Sequence, residues 1–272
     1  MTLTQELSIT RTAPANLRDL GGTRVADGVI APGFVLRSDD LATITDDAAN
    51  ALMAQGVRSV IDLRSRDEVC ITGRGPLMNH AVSYHHVPFM TSIKDATNTS
   101  DAAAAIASAA GAPRSLADMP SMHSMYVSLF ETIPATIVSA LAILAHSPGA
   151  TAFHCAAGKD RTGVLAASLL LALGADDTTI IEDYRATYRN LEHIMLRTRD
   201  YMGRVMALAG FDLDALDAEA FDVEAQRARD EMAMAQTLET LRDRYGDPLT
   251  PLYNAGLSTG LIDALRQRAV SA

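Results

Sequence analysis

A cysteine and an arginine stand six positions apart in a short segment near the middle of the chain. The segment, residues 154–163, reads His-Cys-Ala-Ala-Gly-Lys-Asp-Arg-Thr-Gly. The apolar run 150–153 before it predicts a strand, and the apolar run 164–173 after it predicts a helix. Backbone N–H groups at a helix N-terminus converge on one point, and the helix dipole adds positive charge there. The segment therefore predicts an anion-binding loop, suited to phosphate, with a thiol at its base.

Each residue type in this segment suits one part of a phosphate-transfer reaction. Cys155 is a nucleophile as the thiolate, and the positive field of the loop favours that form. Arg161 carries a planar guanidinium that can bind two phosphate oxygens at once. Thr162 is placed to hydrogen-bond the thiolate, and His154 is expected to orient the loop through its ring N–H. The residues expected to bind phosphate are Ala156, Ala157, Gly158, Lys159, Asp160 and Arg161.

The predicted reaction has two steps. Cys155 attacks phosphorus while the leaving alkoxide or phenoxide takes a proton, and water then hydrolyses the thiophosphate. Backbone N–H groups and Arg161 stabilise the charge on the equatorial oxygens, so we expect no metal and no cofactor. A phosphate-binding module without turnover is the alternative, and a buried cysteine can also be only a small hydrophobic residue.

These residues resemble the Cys-x5-Arg-Ser/Thr signature of cysteine-based phosphatases. The loop is most similar to that of bacterial atypical tyrosine and dual-specificity phosphatases that also act on phosphoinositides, which reads His-Cys-x-x-Gly-Lys-Asp-Arg-Thr-Gly. The resemblance implies a protein-tyrosine phosphatase whose substrate is a phosphorylated protein, with phosphoserine, phosphothreonine or a phosphoinositide as further candidates. Other segments that resemble the family are 16–22 (Asn-Leu-Arg-Asp-Leu-Gly-Gly), 37–38 (Arg-Ser), 60–64 (Val-Ile-Asp-Leu-Arg), 183–184 (Asp-Tyr) and 245–246 (Tyr-Gly).

The general acid is the open question of this mechanism. Many tyrosine phosphatases take the acid from a mobile Trp-Pro-Asp loop, and this chain contains no tryptophan. The resemblance implies that Asp160, inside the loop, serves instead, and a nearby phosphate dianion favours its protonated form. Asp62 follows a predicted strand and is the second candidate, although it could simply pair with Arg64 or Arg66. Asp118 is a third candidate.

Lys159 places a second cation inside the loop. Such a cation suits a substrate with more than one phosphate, as inositol lipids are, and lipid phosphatases often carry a lysine here. A solvated lysine that helps to hold a single phosphate is the alternative.

The elements around the loop predict an α/β fold with a central, largely parallel sheet flanked by helices. Thr45 is expected to cap a helix over 45–55, and an Asp27-Gly28 turn is expected in the hairpin region 23–36. We read 68–80 as a loop. The predicted strands are 57–63, 82–87 and 150–153, and the predicted helices are 122–131, 134–145, 164–173, 191–209, 223–245 and 257–270.

The C-terminal third is predicted to be all helical, with Met232, Met234, Leu238 and Leu241 in the core. The segment 91–120 is rich in Ala, Ser and Thr. In the resembling family an insertion at this place forms helices over the active site, so we predict a lid; a surface helix or a disordered loop is the alternative. The whole chain, 1–272, is expected to be one phosphatase domain.

Composition and histidine spacing bear on two classes of function, nucleic-acid binding and metal binding. The chain of 272 residues carries a net charge of −10, which disfavours binding to nucleic acid. An anionic substrate therefore needs local positive charge, for which the candidates are His154, Lys159, Arg161, Arg64 and Arg66. The seven histidines form no pair with the spacing of metal ligands.

Cysteine usage and hydropathy bear on location. Two cysteines, Cys70 and Cys155, are too few for a disulfide framework and suggest a reducing compartment. Cys70 could protect an oxidised Cys155 as a disulfide, or be merely structural. Residues 1–12 lack a signal-peptide core, and no apolar run is long enough for an integral membrane segment. We expect a cytoplasmic protein, with export without a signal peptide left open, and nothing in the sequence sets the oligomeric state.

Overall fold

The computed structural model describes residues 10–90, 121–208 and 223–270. The predicted lid, 91–120, and the candidate acid Asp118 lie outside these residues. Around the phosphate-binding segment, the described chain forms a five-stranded sheet in the order β1-β4-β7-β5-β6. The strands of the protein are β1 (Arg18–Asp19), β2 (Arg24–Val25), β3 (Gly28–Val29), β4 (Val35–Ser38), β5 (Val57–Asp62), β6 (Ser83–His86) and β7 (Ala150–His154).

The sheet is parallel except at one edge. Strands β4, β7, β5 and β6 run in the same direction, and only β1 pairs antiparallel, with β4. Strand β7 lies in the middle and is buried along its whole length. The prediction of a largely parallel α/β sheet is confirmed, and it puts the end of β7 at the carboxyl edge, where sites of such sheets form.

Helices cover both faces of the sheet. Side chains alternate along each strand, so Phe153 and Ile61 point into the larger core while Ala152 and Val60 point into the smaller one. The helices are α1 (Asp46–Ala54), α2 (Arg66–Thr72), α3 (Met122–Thr132), α4 (Pro134–His146), α5 (Asp160–Ala172), α6 (Asp177–Ala186), α7 (Leu191–Leu208), α8 (Val223–Asp230), α9 (Ala233–Tyr245), α10 (Thr250–Asn254) and α11 (Thr259–Ala269).

The N-terminal half departs from the prediction in two places. The segment 68–80 is not a loop, because it contains most of α2 and a 3-10 helix, Gly75–Asn79. A capping box starts α2: the Ser65 side chain accepts from the Glu68 N–H, and the Glu68 carboxylate accepts from the Ser65 N–H. In the hairpin, Val25 pairs with Gly28, so the turn is Ala26-Asp27 and not Asp27-Gly28.

The predicted helix 223–245 is broken between Asp230 and Ala233, which separates α8 from α9. Met234, Leu238 and Leu241 are buried as predicted. Met232 lies in the break and is 47% exposed, so its assignment to the core was wrong. The side chain of Asp230, by contrast, is fully buried, and its partner belongs to the phosphate-binding segment.

Within the described ranges, no single helix has the length and apolar character to cross a membrane. Helices α3 and α4 reach that threshold only as a pair, bent by 80° at the break between them.

Candidate active site

The phosphate loop, defined here as residues 155–161, joins the central strand β7 to helix α5. Cys155 directly follows the last residue of β7 and is 1% exposed, and its thiol is free. Helix α5 begins at Asp160, so the loop ends in the first turn of a helix. The predicted order of strand, loop and helix is present, with the sulfur at the bottom of the loop.

The carbonyl groups of three consecutive loop residues are held from outside the loop. The Ala156 carbonyl accepts from the Asp40 N–H at 3.0 Å. The Asn16 side-chain amide donates to the Ala157 carbonyl at 3.3 Å and to the Gly158 carbonyl at 3.0 Å. In a trans peptide the N–H points opposite to the C=O. The N–H groups that follow these carbonyls are therefore directed to the inside of the loop, where an anion can accept from them.

A buried arginine fixes the loop from the same side. Arg37 donates to the Gly158 carbonyl at 2.8 Å and to the carboxylate of Asp183, which also pairs with Arg18 at 3.0 Å. Burial by itself would raise the pKa of Asp183, but the charges of Arg37 and Arg18 outweigh it and hold that pKa below its usual value. The segments at 16–22, 37–38 and 183–184 thus meet behind the phosphate loop and support it.

Gly158 is required at its position for two reasons, and we expect Gly158→Ala to damage the loop. Its φ is +66°, and a Cβ would lie 2.5 Å from the Ser38 carbonyl oxygen and 2.6 Å from the Asp39 nitrogen. The strained backbone alone costs on the order of 1 to 3 kcal/mol, and the clash must also displace the loop. We expect a lower thermal unfolding temperature together with a weakened inhibition by inorganic phosphate.

Gly56→Ala is the matched control for this prediction. Gly56 has φ +85°, but its Cβ would meet nothing within 4 Å. The control should therefore lose stability while phosphate still inhibits normally. A Gly158→Ala variant with normal phosphate inhibition would contradict the assigned loop geometry.

Arg161 is oriented by a carboxylate that the sequence analysis missed. Its guanidinium forms a two-point pair with Glu68, with Nη1–Oε2 at 2.5 Å and Nη2–Oε1 at 2.8 Å. Burial raises the pKa of Glu68, but the charge and hydrogen bonds of Arg161 lower it more, to about 2. The local signal for Glu68 was the capping box that it forms with Ser65. Its pairing with a residue far along the chain has no such signal.

His154 and Thr162 flank the phosphate loop. The Nδ1 atom of His154 lies 3.1 Å from the Cys155 carbonyl and 3.3 Å from the Leu41 nitrogen. A protonated Nδ1 can donate to the carbonyl, as predicted, and an unprotonated one can accept from Leu41. Thr162 Oγ1 is buried and has no hydrogen-bond partner among the described residues. The predicted bond from Thr162 to Cys155 is therefore absent from this structure.

Asp62 lies at the end of β5 in a closed network. It pairs with Arg64 at 2.6 Å and accepts from the Tyr84 hydroxyl at 2.6 Å, and all of its side chain is buried. Burial raises the pKa of Asp62, but the charges of His154 and Arg64 hold it well below its usual range. The ionised carboxylate is therefore the favoured form of Asp62. The sequence left open whether Asp62 pairs with Arg64 or with Arg66, and the structure shows the pair with Arg64.

The two candidate cations outside the loop, Arg64 and Arg66, differ in their surroundings. Arg64 is fully buried and also pairs with Asp40 at 3.1 Å, so its charge is used within the protein. Arg66 is exposed at the start of α2. The buried pairs of Arg64 argue against the expectation that it supplies positive charge to the substrate, whereas for Arg66 this expectation stays a prediction.

Lys159 is buried and paired rather than solvated. It is 4% exposed, and its Nζ lies 2.8 Å from the Asp230 carboxylate and 5.7 Å from the centre of the Tyr188 ring. Burial lowers the pKa of Lys159, but the negative groups around it, Asp160 and Asp230 among them, raise it above its usual value. Its charge is thus compensated by Asp230.

Asp160 is the first residue of α5, and 28% of its side chain is exposed. Its Oδ1 accepts a hydrogen bond from the hydroxyl of Tyr126, which is fully buried in α3. Sequence reasoning missed Tyr126, because nothing in the pattern of α3 distinguishes it from an ordinary core residue.

A strand, a phosphate loop with a buried thiol at its base and an arginine at the start of the following helix define the class of cysteine-dependent phosphatases. The model of the tyrosine phosphatase family matches residues 9–271, so the chain belongs to that family. It is a protein-tyrosine phosphatase, and the resemblance inferred from its motifs is confirmed.

Two curated relatives agree with this assignment. One is the triple specificity protein phosphatase PtpB of Mycobacterium tuberculosis, 26% identical over 92% of this chain and 95% of the relative. The other is a tyrosine-protein phosphatase of Nostoc commune, 32% identical over 61% of this chain and 52% of the relative. A crystal structure of TpbA from P. aeruginosa with phosphotyrosine covers 65% of this chain and 86% of its own, at 16% identity and a TM-score of 0.29.

Proposed function

We propose that the protein hydrolyses phosphotyrosine in proteins through a phosphocysteine intermediate on Cys155, with no metal or cofactor. The observation that carries this proposal is the fixing of three successive loop carbonyls from outside, by Asn16, Arg37 and the Asp40 N–H. The opposed N–H groups then form a preorganised site for the phosphoryl oxygens in the loop that begins at the buried Cys155.

The proposed first step transfers the phosphoryl group to the enzyme. The Sγ–P bond forms as the ester P–O bond breaks, and the electron pair of that bond leaves with the ester oxygen, which takes a proton from Asp160. In the second step, water gives a proton to Asp160 and attacks phosphorus, and the S–P bond breaks to release the Cys155 thiolate and phosphate. Arg161, held by Glu68, spans two equatorial oxygens throughout.

We assign the general acid to Asp160 because of its position and surroundings. It lies at the open rim of the loop, where a leaving oxygen departs, and its side chain is partly exposed. Asp62 is held as a carboxylate by Arg64 and is buried, which argues against a proton-donating role. We retain His154 and Thr162 as supporting residues, which position the ends of the loop.

The substrate range is proposed to extend beyond phosphotyrosine. The name of the mycobacterial relative, a triple specificity protein phosphatase, supports more than one kind of substrate, with phosphoserine, phosphothreonine and a phosphoinositide as the candidates. The phosphoinositide was also favoured by a free cation at Lys159, but Asp230 compensates that charge, so its support is the resemblance to this relative. We further propose that residues 1–272 form a single domain. We also propose a cytoplasmic location, since both thiols are free, as is usual in a reducing compartment.

Phosphate release tests this function directly. The wild-type chain should release phosphate from a phosphotyrosine peptide in the presence of a chelator. A phosphothreonine peptide should react more slowly, and a soluble phosphatidylinositol phosphate should react the least. A rank order led by the phosphoinositide would replace the proposed substrate. No release from any of the three would leave only a phosphate-binding module, and loss of release in chelator would contradict the proposed chemistry.

A further inference from the structure

Within the described part of the chain, the contacts of the Asp160 carboxyl group are made through Oδ1. Oδ1 accepts from the Tyr126 hydroxyl, and it is also the oxygen nearest to Lys159, at 3.8 Å. Tyr126 is fully buried, whereas the side chain of Asp160 is 28% exposed. Oδ1 therefore faces the protein interior, and the rest of the carboxyl group faces the open rim.

Tyr126 ends a chain of three buried tyrosine hydroxyls. Its oxygen lies 2.8 Å from the Tyr184 hydroxyl, which lies 3.2 Å from the Tyr188 hydroxyl. Each hydroxyl has one proton to donate. Because Tyr126 donates to Asp160, its oxygen is free to accept from Tyr184, whose hydroxyl also lies within donating distance of the Asp230 carbonyl, at 3.4 Å. The hydroxyl of Tyr126 is thus the member of the chain that contacts Asp160.

The ring packing keeps this chain in place. Tyr126 packs edge-to-face on Tyr184, with ring centres 5.9 Å apart, and Tyr184 packs in the same way on Tyr188 at 5.8 Å. Burial raises the pKa of the Tyr126 hydroxyl well above its usual value, and the charge of Asp160 raises it further. This shift favours the protonated hydroxyl, the form in which Tyr126 can donate to Asp160.

The charges that face Asp160 are themselves compensated. Lys159 Nζ is 2.8 Å from the Asp230 carboxylate but 3.8 Å from Asp160, so Asp230 is its closer partner, although the charge of Asp160 also acts on it. Arg161 is paired with Glu68 at two points. A carboxyl group that must carry a proton is better served by a neutral hydroxyl donor than by a close ion pair, which favours the ionised form.

We propose that Tyr126 is a positioning residue for the general acid. Its hydroxyl occupies Oδ1 of Asp160, so that the transferable proton is carried on Oδ2, on the open side of the group where the leaving oxygen departs. This inference rests on the proposed function, in which Asp160 is the acid. Tyr126 itself touches neither the phosphoryl group nor Cys155 in this mechanism.

Tyr126→Phe tests the inference, because it keeps the ring and removes only the hydroxyl. The readouts are kcat/KM for phenyl phosphate and for 4-nitrophenyl phosphate, and the inhibition constant of inorganic phosphate. An ester with a poor leaving group needs the acid, and one with a good leaving group does not. We expect about a tenfold loss on phenyl phosphate, less than about a twofold loss on 4-nitrophenyl phosphate, and unchanged phosphate inhibition.

Two further variants separate the possible outcomes. Asp160→Asn should show the same selectivity with a larger loss on phenyl phosphate, about 100-fold. Tyr188→Phe removes a buried hydroxyl from the far end of the chain and should change neither ester by more than about twofold. Thermal unfolding of each variant establishes that it is folded.

Equal losses on both esters in Tyr126→Phe, with weaker phosphate inhibition, would reduce Tyr126 to a support of the loop and overturn the inference. No loss on either ester in Tyr126→Phe would also overturn the inference. The same selectivity between the two esters in Tyr188→Phe would overturn it as well. If Asp160→Asn discriminates between the esters and Tyr126→Phe does not, the proposed function stands and only the inference fails. If Asp160→Asn does not discriminate, the acid assignment fails and the inference with it.

Discussion

Replacing Cys155 with serine should abolish phosphate release while phosphate still binds with nearly normal affinity. A serine hydroxyl has almost the same shape as the thiol but stays protonated at neutral pH, so it cannot attack phosphorus without a base. The anion site itself is built from backbone N–H groups fixed by Asn16 and Arg37, none of which the substitution touches. We therefore expect turnover to fall below detection, while the affinity for a phosphotyrosine peptide, measured by calorimetry, changes by less than about tenfold.

Cys70→Ser is the matched control for this substitution. Cys70 is also a free cysteine, but it is exposed on α2, whereas Cys155 is buried at the base of the phosphate loop. The control should release phosphate at the wild-type rate. A Cys155→Ser variant as active as the wild type would overturn the covalent mechanism, whatever the family of the chain.

The strand, the loop and the helix of this site could be predicted because their sequence signals are local. An apolar run before Cys155 and another after Thr162 are enough to predict the strand and the helix, and their order places the loop at the carboxyl edge of the sheet. The segments at 16–22, 37–38 and 183–184 were recognised as motifs only by resemblance. Their physical role, as supports of the loop carbonyls, could be assigned only from the contacts in the structure.

The residues that were missed act through long-range pairs. Glu68 is 93 positions from Arg161, and Asp230 is 71 positions from Lys159. The glycines and the proline of 73–76 suggested a loop, which hid the short helix that carries Glu68. The continuous helical pattern of 223–245 likewise hid the break next to Asp230. Periodicity predicts which elements form, but it does not predict which charges meet when those elements pack.

These pairs also correct the interpretation of the loop charges. A lysine in the loop indicates a second cation for the substrate only as long as no carboxylate compensates it. The Asp230 pair places that charge inside the protein, and Arg64 is compensated by Asp62 and Asp40 in the same way. Arg161 is also paired, with Glu68, but through two of its five N–H groups, so this pair alone does not exhaust its capacity to bind phosphoryl oxygens, and this makes its substitution informative.

Arg161→Lys should lower kcat/KM for the phosphotyrosine peptide by about 1,000-fold, although the positive charge is kept. A guanidinium can bind Glu68 and a phosphoryl group through different N–H groups of one rigid plane, whereas an ammonium is a single point that cannot do both in a fixed geometry. The variant also leaves the buried Glu68 with a poorer partner, so its pKa, now held at about 2, should rise towards its usual value. The measurements are steady-state kinetics and the inhibition constant of phosphate.

Arg66→Lys is the control, because it makes the same replacement of arginine by lysine at a residue outside the phosphate loop. Arg66 is exposed in the first turn of α2, close in sequence to Glu68 but without its pair to the loop. It should retain wild-type kinetics. If Arg161→Lys lost less than about tenfold, charge alone would be sufficient at this position, and the two-point geometry set by Glu68 could not be what stabilises the transferring phosphoryl group. A loss confined to KM would likewise place Arg161 in ground-state binding rather than in the transition state.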